Sequence, residues 1–284
     1  MYEKGAISKR ALKRGMLSLT TLGELVKTLQ KKETIVQARV VPRGTHYVIE
    51  VVYERKEEQA SVDLSLFAAL DLGVSNLAAI TSNKPGFVPV LVNGRVLKSI
   101  NQGYNKQREH LQKQLARENR FTSHQLERIT DKRNRRIKHQ LHLASKTVIG
   151  LLVAEGIGTL IIGKNAFWKQ EVEMGKRNNQ ACVQIPHTRY KAALVGITVI
   201  ITEESYTSQA SFLDRDAMPV YDPHDQVEHM FSGRRDGRWC RLKGRCPIHS
   251  DVNGSYNIGR KVFPTAFDGR GIEASAVRPR RLAV

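Results

Sequence analysis

Cysteine is scarce in this chain. Cys182, Cys240 and Cys246 are the three present among 284 residues, widely spread and odd in number. Such a set argues against a disulfide framework and suits a reducing compartment. Long apolar runs are missing too. No stretch of about 18 apolar residues exists to cross a bilayer, and no lipidation signal is present. The opening Met1-Tyr-Glu-Lys-Gly-Ala-Ile-Ser-Lys-Arg lacks the apolar core of a secretory leader. A cytoplasmic protein with no membrane partner is therefore expected. Acidic residues are the third scarcity: 27 Asp and Glu stand against 46 Lys and Arg, a formal net charge of +19 with a pI near 10.1. An excess of that size points to an anionic polymer before a small acidic substrate. The length suffices for one large domain with a smaller one beside it.

Taken in order, residues 1–33 read as a basic helical lead-in, with Leu17, Leu22, Leu25, Val26 and Leu29 as a loose apolar face. Ile35–Val41 and His46–Tyr53 are strand-like and joined by Pro42-Arg43-Gly44-Thr45, so residues 1–60 are expected to hold this lead-in and a small antiparallel β unit. Glu54–Ala60 is a charged spacer. The nearly continuous apolar run of Ser65–Leu72 suits a strand buried on both faces and ends in Asp71. Leu77–Ile80 and Val88–Val92 continue as strands, and Asn93-Gly94 reads as a hairpin turn into Arg95–Leu97. Three consecutive antiparallel strands led by an acidic one open RNase H-like domains, and other α/β folds as well.

Residues 101–152 form a basic helical stretch. Tyr104, Leu111 and Leu115 mark a first helix, the Arg120–Ser123 region breaks it with Thr122 and Gln125 as a capping box, and Leu126 to Val148 mark a second. Between Asn101 and Lys146 there are twelve Lys or Arg and four Asp or Glu. The surplus is one-sided rather than alternating, so Lys132, Arg133, Arg135 and Arg136 are expected to contact nucleic-acid phosphates. Ile157–Gly163 reads as a buried strand, and Phe167-Trp168-Lys169-Gln170 with Lys176–Gln180 as loop. Trp168 suits stacking on a base, but an aromatic beside a strand end more often belongs to the core. A short helix follows to about Leu194, then a last strand over Gly196–Thr202 that delivers Glu203 and Glu204. Residues 210–250 read as irregular, and 268–284 as a flexible tail.

The closing helix opens near Ser250, a candidate N-cap, which puts Asp251 in its first turn, where unpaired N–H groups favour an ionised carboxylate. In a sheet flanked by helices, the ends of neighbouring central strands meet at one edge. Asp71, Glu204 (with Glu203 as the alternative) and Asp251 are thereby expected to converge on a metal site. Adjacent strand residues face opposite ways, so at most one of the two glutamates points inward. Clustered carboxylates repel each other unless cations sit among them, and oxygen-only ligands select Mg2+ or Mn2+ over zinc. Such a site suits phosphodiester cleavage.

Asp71-Leu-Gly-Val-Ser-Asn-Leu-Ala, Tyr206-Thr-Ser-Gln and Asp251-Val-Asn-Gly-Ser-Tyr-Asn-Ile-Gly-Arg-Lys resemble segments of the TnpB family, the OrfB-type insertion-sequence proteins related to type V CRISPR effectors. The resemblance runs from about residue 35 to 265. It implies an α/β, RNase H-like (RuvC-type) mixed sheet flanked by helices over 61–267, preceded by a partial antiparallel, wedge-like β domain and carrying the basic insertion 101–152. It implies a bacterial, nucleoid-associated RNA-guided DNA endonuclease whose partners are a guide RNA copied from the transposon end and a target DNA. The family's first and third catalytic carboxylates fall on Asp71 and Asp251.

Four departures accompany the resemblance. Many family members carry a catalytic Glu at the end of the strand that here contains Leu160-Ile161-Ile162, and this chain has Gly163 there; a subgroup with a similar Thr-Glu-Glu-Ser-Tyr-Thr-Ser segment takes its Glu from the next strand, which motivates Glu204 or Glu203. The paired CxxC zinc ribbon is absent from 210–250. Cys240, Cys246 and His249, with His224 or His229, are poorly spaced for zinc, so no structural zinc is expected. The family's N-terminal recognition region is mostly missing. The helix ending at Leu194 is short by about two turns. These departures leave open a catalytically impaired RNA-guided DNA-binding protein or a decaying transposon remnant, with a DDE-type transposase as a further alternative.

Overall fold

A computed structural model describes residues 2–3, 7–18, 25–27, 34–43, 46–73, 75–164, 187–220, 229–241, 247–268 and 278–283. Two compact units are defined by their internal contacts: residues 1–57 with 104–133, and residues 58–103 with 134–284.

In the first unit, β1 (Tyr2–Glu3), β4 (Ile35–Arg43) and β5 (His46–Tyr53) form an antiparallel sheet in the order β1-β4-β5. A short helix α1 (Lys9–Lys13) and a hairpin of β2 (Met16–Ser18) and β3 (Leu25–Lys27) accompany it. The helical lead-in expected over residues 1–33 is thus replaced, among the described residues, by short strands and a five-residue helix. The reason is packing: Ile7, Leu12 and Leu17 close a small core with Ile35 and Ala38. A continuous helix would carry Leu17 away from it.

The second unit is built on a six-stranded mixed sheet in the order β10-β9-β6-β7-β8-β14. The strands are β6 (Asp63–Asp71), β7 (Asn76–Ser82), β8 (Val90–Asn93), β9 (Ile157–Lys164), β10 (Thr198–Glu203) and β14 (Arg280–Leu282). Neighbours β6, β7 and β8 are antiparallel, β9 is parallel to β6 and to β10, and β14 is parallel to β8. Alternation along β6 separates two cores. Ala68 and Leu70 face one side, with Leu141, Ala144 and Val148 of α3 (His124–Ala154). Phe67 and Ala69 face the other, with Val252, Tyr256 and Ile258 of α5 (Ser250–Val262).

Several local expectations are corrected. Arg95–Leu97 is the start of helix α2 (Arg95–Arg117), not a strand, and Asn93-Gly94 is not a hairpin. The Asn93 side-chain carbonyl accepts the Arg95 N–H at 2.9 Å, and Leu97 is buried in the core, which favours a helix start over a strand. Ser123 rather than Thr122 caps α3, its hydroxyl accepting the Leu126 N–H. His249 rather than Ser250 caps α5. Residues 234–249 contain a small antiparallel sheet of β11 (Arg234–Asp236), β12 (Trp239–Arg241) and β13 (Ile248–His249) instead of irregular chain. In the tail, Arg280–Leu282 is edge strand β14. A short helix α4 occupies 187–193, and no helix is long and apolar enough to cross a membrane among the described residues. Cys182, Cys246, His224, Trp168 and the 176–180 loop lie outside the described residues.

Candidate active site

Gly254, Ser255 and Gly259 of the 251–261 motif seat α5 against the sheet. Asp71 ends β6 on the same face as Phe67 and Ala69. Its carboxylate lies against Gly254, where an added Cβ would come within 2.7 Å of Asp71 Oδ2. Only a residue without a side chain leaves that carboxylate its place. Gly259 does the same for hydrocarbon, since a Cβ there would lie 3.1 Å from the Phe67 ring and 3.3 Å from Ala69. Ser255 donates to the Ala69 carbonyl at 2.9 Å and shares a hydrogen bond with Thr81. Together these contacts fix the height of the helix over β6 and β7.

The opposite side of α5 holds the segment that follows β10. Asn253 accepts from the Phe212 N–H and donates to the Ala210 carbonyl, while Asn257 donates to the carbonyls of Thr207 and Ala210. Both asparagines are fully buried, so their amides satisfy backbone groups that would otherwise be stranded. Tyr256 stacks on Phe212 at 4.5 Å between ring centres. Arg260 donates to the Asp216 carbonyl. Burial disfavours its charge and is the larger influence lowering its pKa, with the Asp216 carboxylate acting in the other direction. The side chain of Asp216 is in turn bound by Ser211 and Ser232. Burial opposes its ionisation, yet those hydrogen bonds together outweigh it and hold the pKa low.

Asp251 lies one turn before Gly254 on the same stripe of α5. Its Oδ2 accepts from Asn76 Nδ2 at 2.7 Å, so the first residue of β7 orients it. Further along the stripe comes Ile258. An added Cβ at Gly163, near the end of β9, would lie 2.6 Å from both Ile258 Cδ1 and Glu204 Oε2. The Glu204 carboxylate therefore fills the space that a side chain at 163 would occupy. Glu203 is turned elsewhere: both its carboxylate oxygens accept from Lys261 at 2.6 Å, and it also accepts the Ser205 N–H. Asp71, Asp251 and Glu204 are thus lined along one face of α5. Among the described residues, no three His, Cys, Asp or Glu side chains are grouped closely enough to share a single metal ion.

The other expected contacts are distributed along α3 and around the small sheet. Lys132, Arg135 and Arg136 are exposed, and the Arg133 guanidinium lies 5.5 Å over the Tyr104 ring. Cys240 is buried in the core beneath α5, His249 Nδ1 accepts the Asp251 N–H, and the His229 ring packs on Tyr206. Reading residues in isolation overlooked Asn76 and Gly254, and it noted Gly163 only as the lack of a carboxylate and not as the space that Glu204 fills. The one signal for Gly254 is its place in the motif directly between Asn253 and Ser255, and for Asn76 its place five residues after Asp71.

Strand order and direction, with α3 on one face and α5 on the other, define a mixed α/β domain with a central mixed sheet flanked by helices. Residues 50–169 match the OrfB IS605 family model, described as a probable transposase. A solved Cas12f1–sgRNA–target DNA complex is similar at 14% identity over 80% of this chain and 46% of that one, with a TM-score of 0.53. A CRISPR–Cas12f ternary complex is 13% identical over 78% of this chain and 44% of that one, with a TM-score of 0.49. The chain spans less than half the length of either. No curated protein matches. The family match over 50–169 and the likeness of fold to the first of these complexes agree with the resemblance carried by the motifs at Asp71 and Asp251.

Proposed function

We propose that this chain is a TnpB-like, RNA-guided DNA endonuclease, with Asp71, Glu204 and Asp251 as the carboxylates that hold Mg2+ or Mn2+. The observation that carries the reading is the seat of the Asp71 carboxylate on Gly254, one helical turn from Asp251 and on the face that also carries Glu204 at the vacated side of Gly163. An all-oxygen donor set suits a hard divalent cation. Bound there, the cation would supply charge stabilisation at the phosphodiester and an activated water at neutral pH. The chain's own contribution is position. Asn76 holds Asp251 in orientation, Gly254 leaves room for Asp71, and Lys261 of α5 occupies Glu203, which leaves Glu204, beside Gly163, as the glutamate of the site. The partners in this reading are a guide RNA from the transposon end and a matching DNA, with the exposed Lys132, Arg135 and Arg136, and Arg133 beside them, on phosphates.

The test is cleavage of a guide-matched plasmid by the chain reconstituted with that RNA. Asp71→Ala and Asp251→Ala are each expected to abolish Mg2+-dependent cutting while leaving nucleic-acid binding nearly intact. Undiminished cutting by either variant refutes the assignment. A second reading is motivated by Gly163, which leaves the end of β9 without a carboxylate: an RNA-guided DNA-binding protein without cleavage. It predicts guide-dependent occupancy of the plasmid and no Mg2+-dependent nick in the unaltered protein.

A further inference from the structure

We propose that the cavity beside Asp251 seats a backbone phosphate of a single nucleic-acid strand, held by Arg95, Lys98, Arg238 and Arg281. The cavity has a volume of about 190 Å3, and Asp251 is the one carboxylate on its wall among the described residues. Four basic residues from three separate places in the chain line it. Arg95 and Lys98 come from the first turn of α2, Arg238 from the turn between β11 and β12, and Arg281 from β14.

These positions are anchored through the backbone and by short polar contacts. The α2 start is fixed by Asn93, whose side chain accepts the Arg95 N–H. Lys98 Nζ donates to Ser75 Oγ at 2.8 Å. The Arg238 carbonyl accepts the Ser250 N–H at 2.8 Å, tying its turn to the first residue of α5. Arg281 is set by the pairing of β14 with β8, opposite Leu91. Among the described residues, Arg95, Arg238 and Arg281 make no ion pair, although carboxylates elsewhere in the unit are matched with Lys84, Arg215 and Lys261. Like charges gathered around one cavity raise one another's free energy until an anion enters. Guanidinium groups present paired N–H donors in the geometry that phosphate oxygens accept.

The cavity's volume of about 190 Å3 admits one phosphodiester with part of its sugar, and a single strand bends its backbone into such a space more easily than a stiff duplex does. The inference rests on the proposed nuclease reading for its meaning: the seated phosphate is a neighbour of the one cut at Asp251. Its test does not depend on cutting. A labelled short oligothymidylate is titrated into the full chain in EDTA, followed by fluorescence anisotropy, at several salt concentrations. Arg95→Ala/Arg238→Ala, which leaves β14 untouched, is expected to weaken binding about tenfold. The salt slope should shrink by about 0.7, the value for one phosphate on single-stranded DNA that is no longer neutralised. Arg281→Ala is expected to weaken binding in the same sense. Arg55→Ala/Lys56→Ala removes equal charge from an exposed segment and is expected to change little. Equal losses in the cavity pair and the control pair would overturn the seat, whether or not the chain cuts DNA. Cavity-specific loss in a protein that never cuts would keep the seat and sink the nuclease reading instead.

Discussion

At residue scale, the site is organised by what two glycines leave out. Gly254 lies on the helix face where the Asp71 carboxylate rests, and Gly163 lies beside the Glu204 carboxylate. At Gly254 the nearest atoms to an added methyl are Asp71 Oδ2 at 2.7 Å and Asp71 Cγ at 3.5 Å, so relief comes chiefly by displacing the carboxylate. Gly254→Ala is therefore expected to reduce plasmid cutting by more than about a hundredfold while costing roughly 1–3 kcal/mol of stability, the usual range for overpacking. Gly163→Ala is expected to act in the same direction through Glu204, and less severely, because Glu204 is a longer side chain with more room to yield. Rate measurements at saturating Mg2+, paired with denaturant unfolding, separate the two effects. A Gly254→Ala protein that keeps its full cutting rate would show that the placement of Asp71 has no catalytic meaning.

At the scale of elements, α3 and α4 join in a patch that responds to acid. The rings of His142 and His187 are 4.1 Å apart between centres. Lys191 of α4 donates to the His142 carbonyl and to Ser145 Oγ, and Tyr190 OH approaches His142 Nδ1 at 3.5 Å. Burial is the main influence lowering the pKa of both histidines. For His142 the charges of His187, Lys191, Lys138 and His139 add to it, and for His187 those of Lys191 and Lys138. A histidine depressed in the folded state contributes stability that is present above its unfolded pKa, near 6.5, and lost as pH falls from there toward the folded value. The thermal midpoint is expected to fall between about pH 7.5 and 5.5, and to fall less in His142→Asn/His187→Asn. Parallel midpoint curves for the two proteins would exclude this pair as a source of the acid sensitivity.

The same scale shows why some elements were legible and others were not. Residues Ser65–Leu72 and Ile157–Gly163 are nearly continuously apolar because their strands are covered on both faces, by α3 on one side and α5 on the other, and that pattern survives without coordinates. Asp71 and Asp251 could be read from their positions at a strand end and in a first helical turn. Strand β14 could not: two of its three residues are arginines, and an edge strand is held by backbone pairing that places little demand on side chains. The helix start at Arg95 was hidden because its cap comes from Asn93, in a dipeptide that reads equally well as a hairpin. The pairing of Gly163 with Glu204 joins positions far apart in sequence through excluded space, and no local pattern records a space.

For the whole molecule, the net charge of +19 governs any encounter with DNA. Neutralised phosphates release condensed counterions, so the logarithm of affinity falls linearly with the logarithm of salt, at about 0.9 per phosphate on duplex DNA. Much of the surplus stands on α2 and α3, where Lys132, Arg135 and Arg136 are exposed within a segment of twelve basic and four acidic residues. If that segment meets the backbone, Arg135→Ala/Arg136→Ala is expected to weaken duplex binding regardless of base sequence. The salt slope should fall by about 1.8, because two phosphates would keep their counterions. The cutting rate at saturating DNA should be unchanged, because neither arginine lies near Asp71, Glu204 or Asp251 in the chain or on α5. Titrations at several salt concentrations between about 50 and 200 mM supply the slopes. Parallel lines for the variant and the unaltered protein would mean that these arginines face solvent in the complex, and the phosphate-binding surface would then have to be sought on the other cationic faces of the chain.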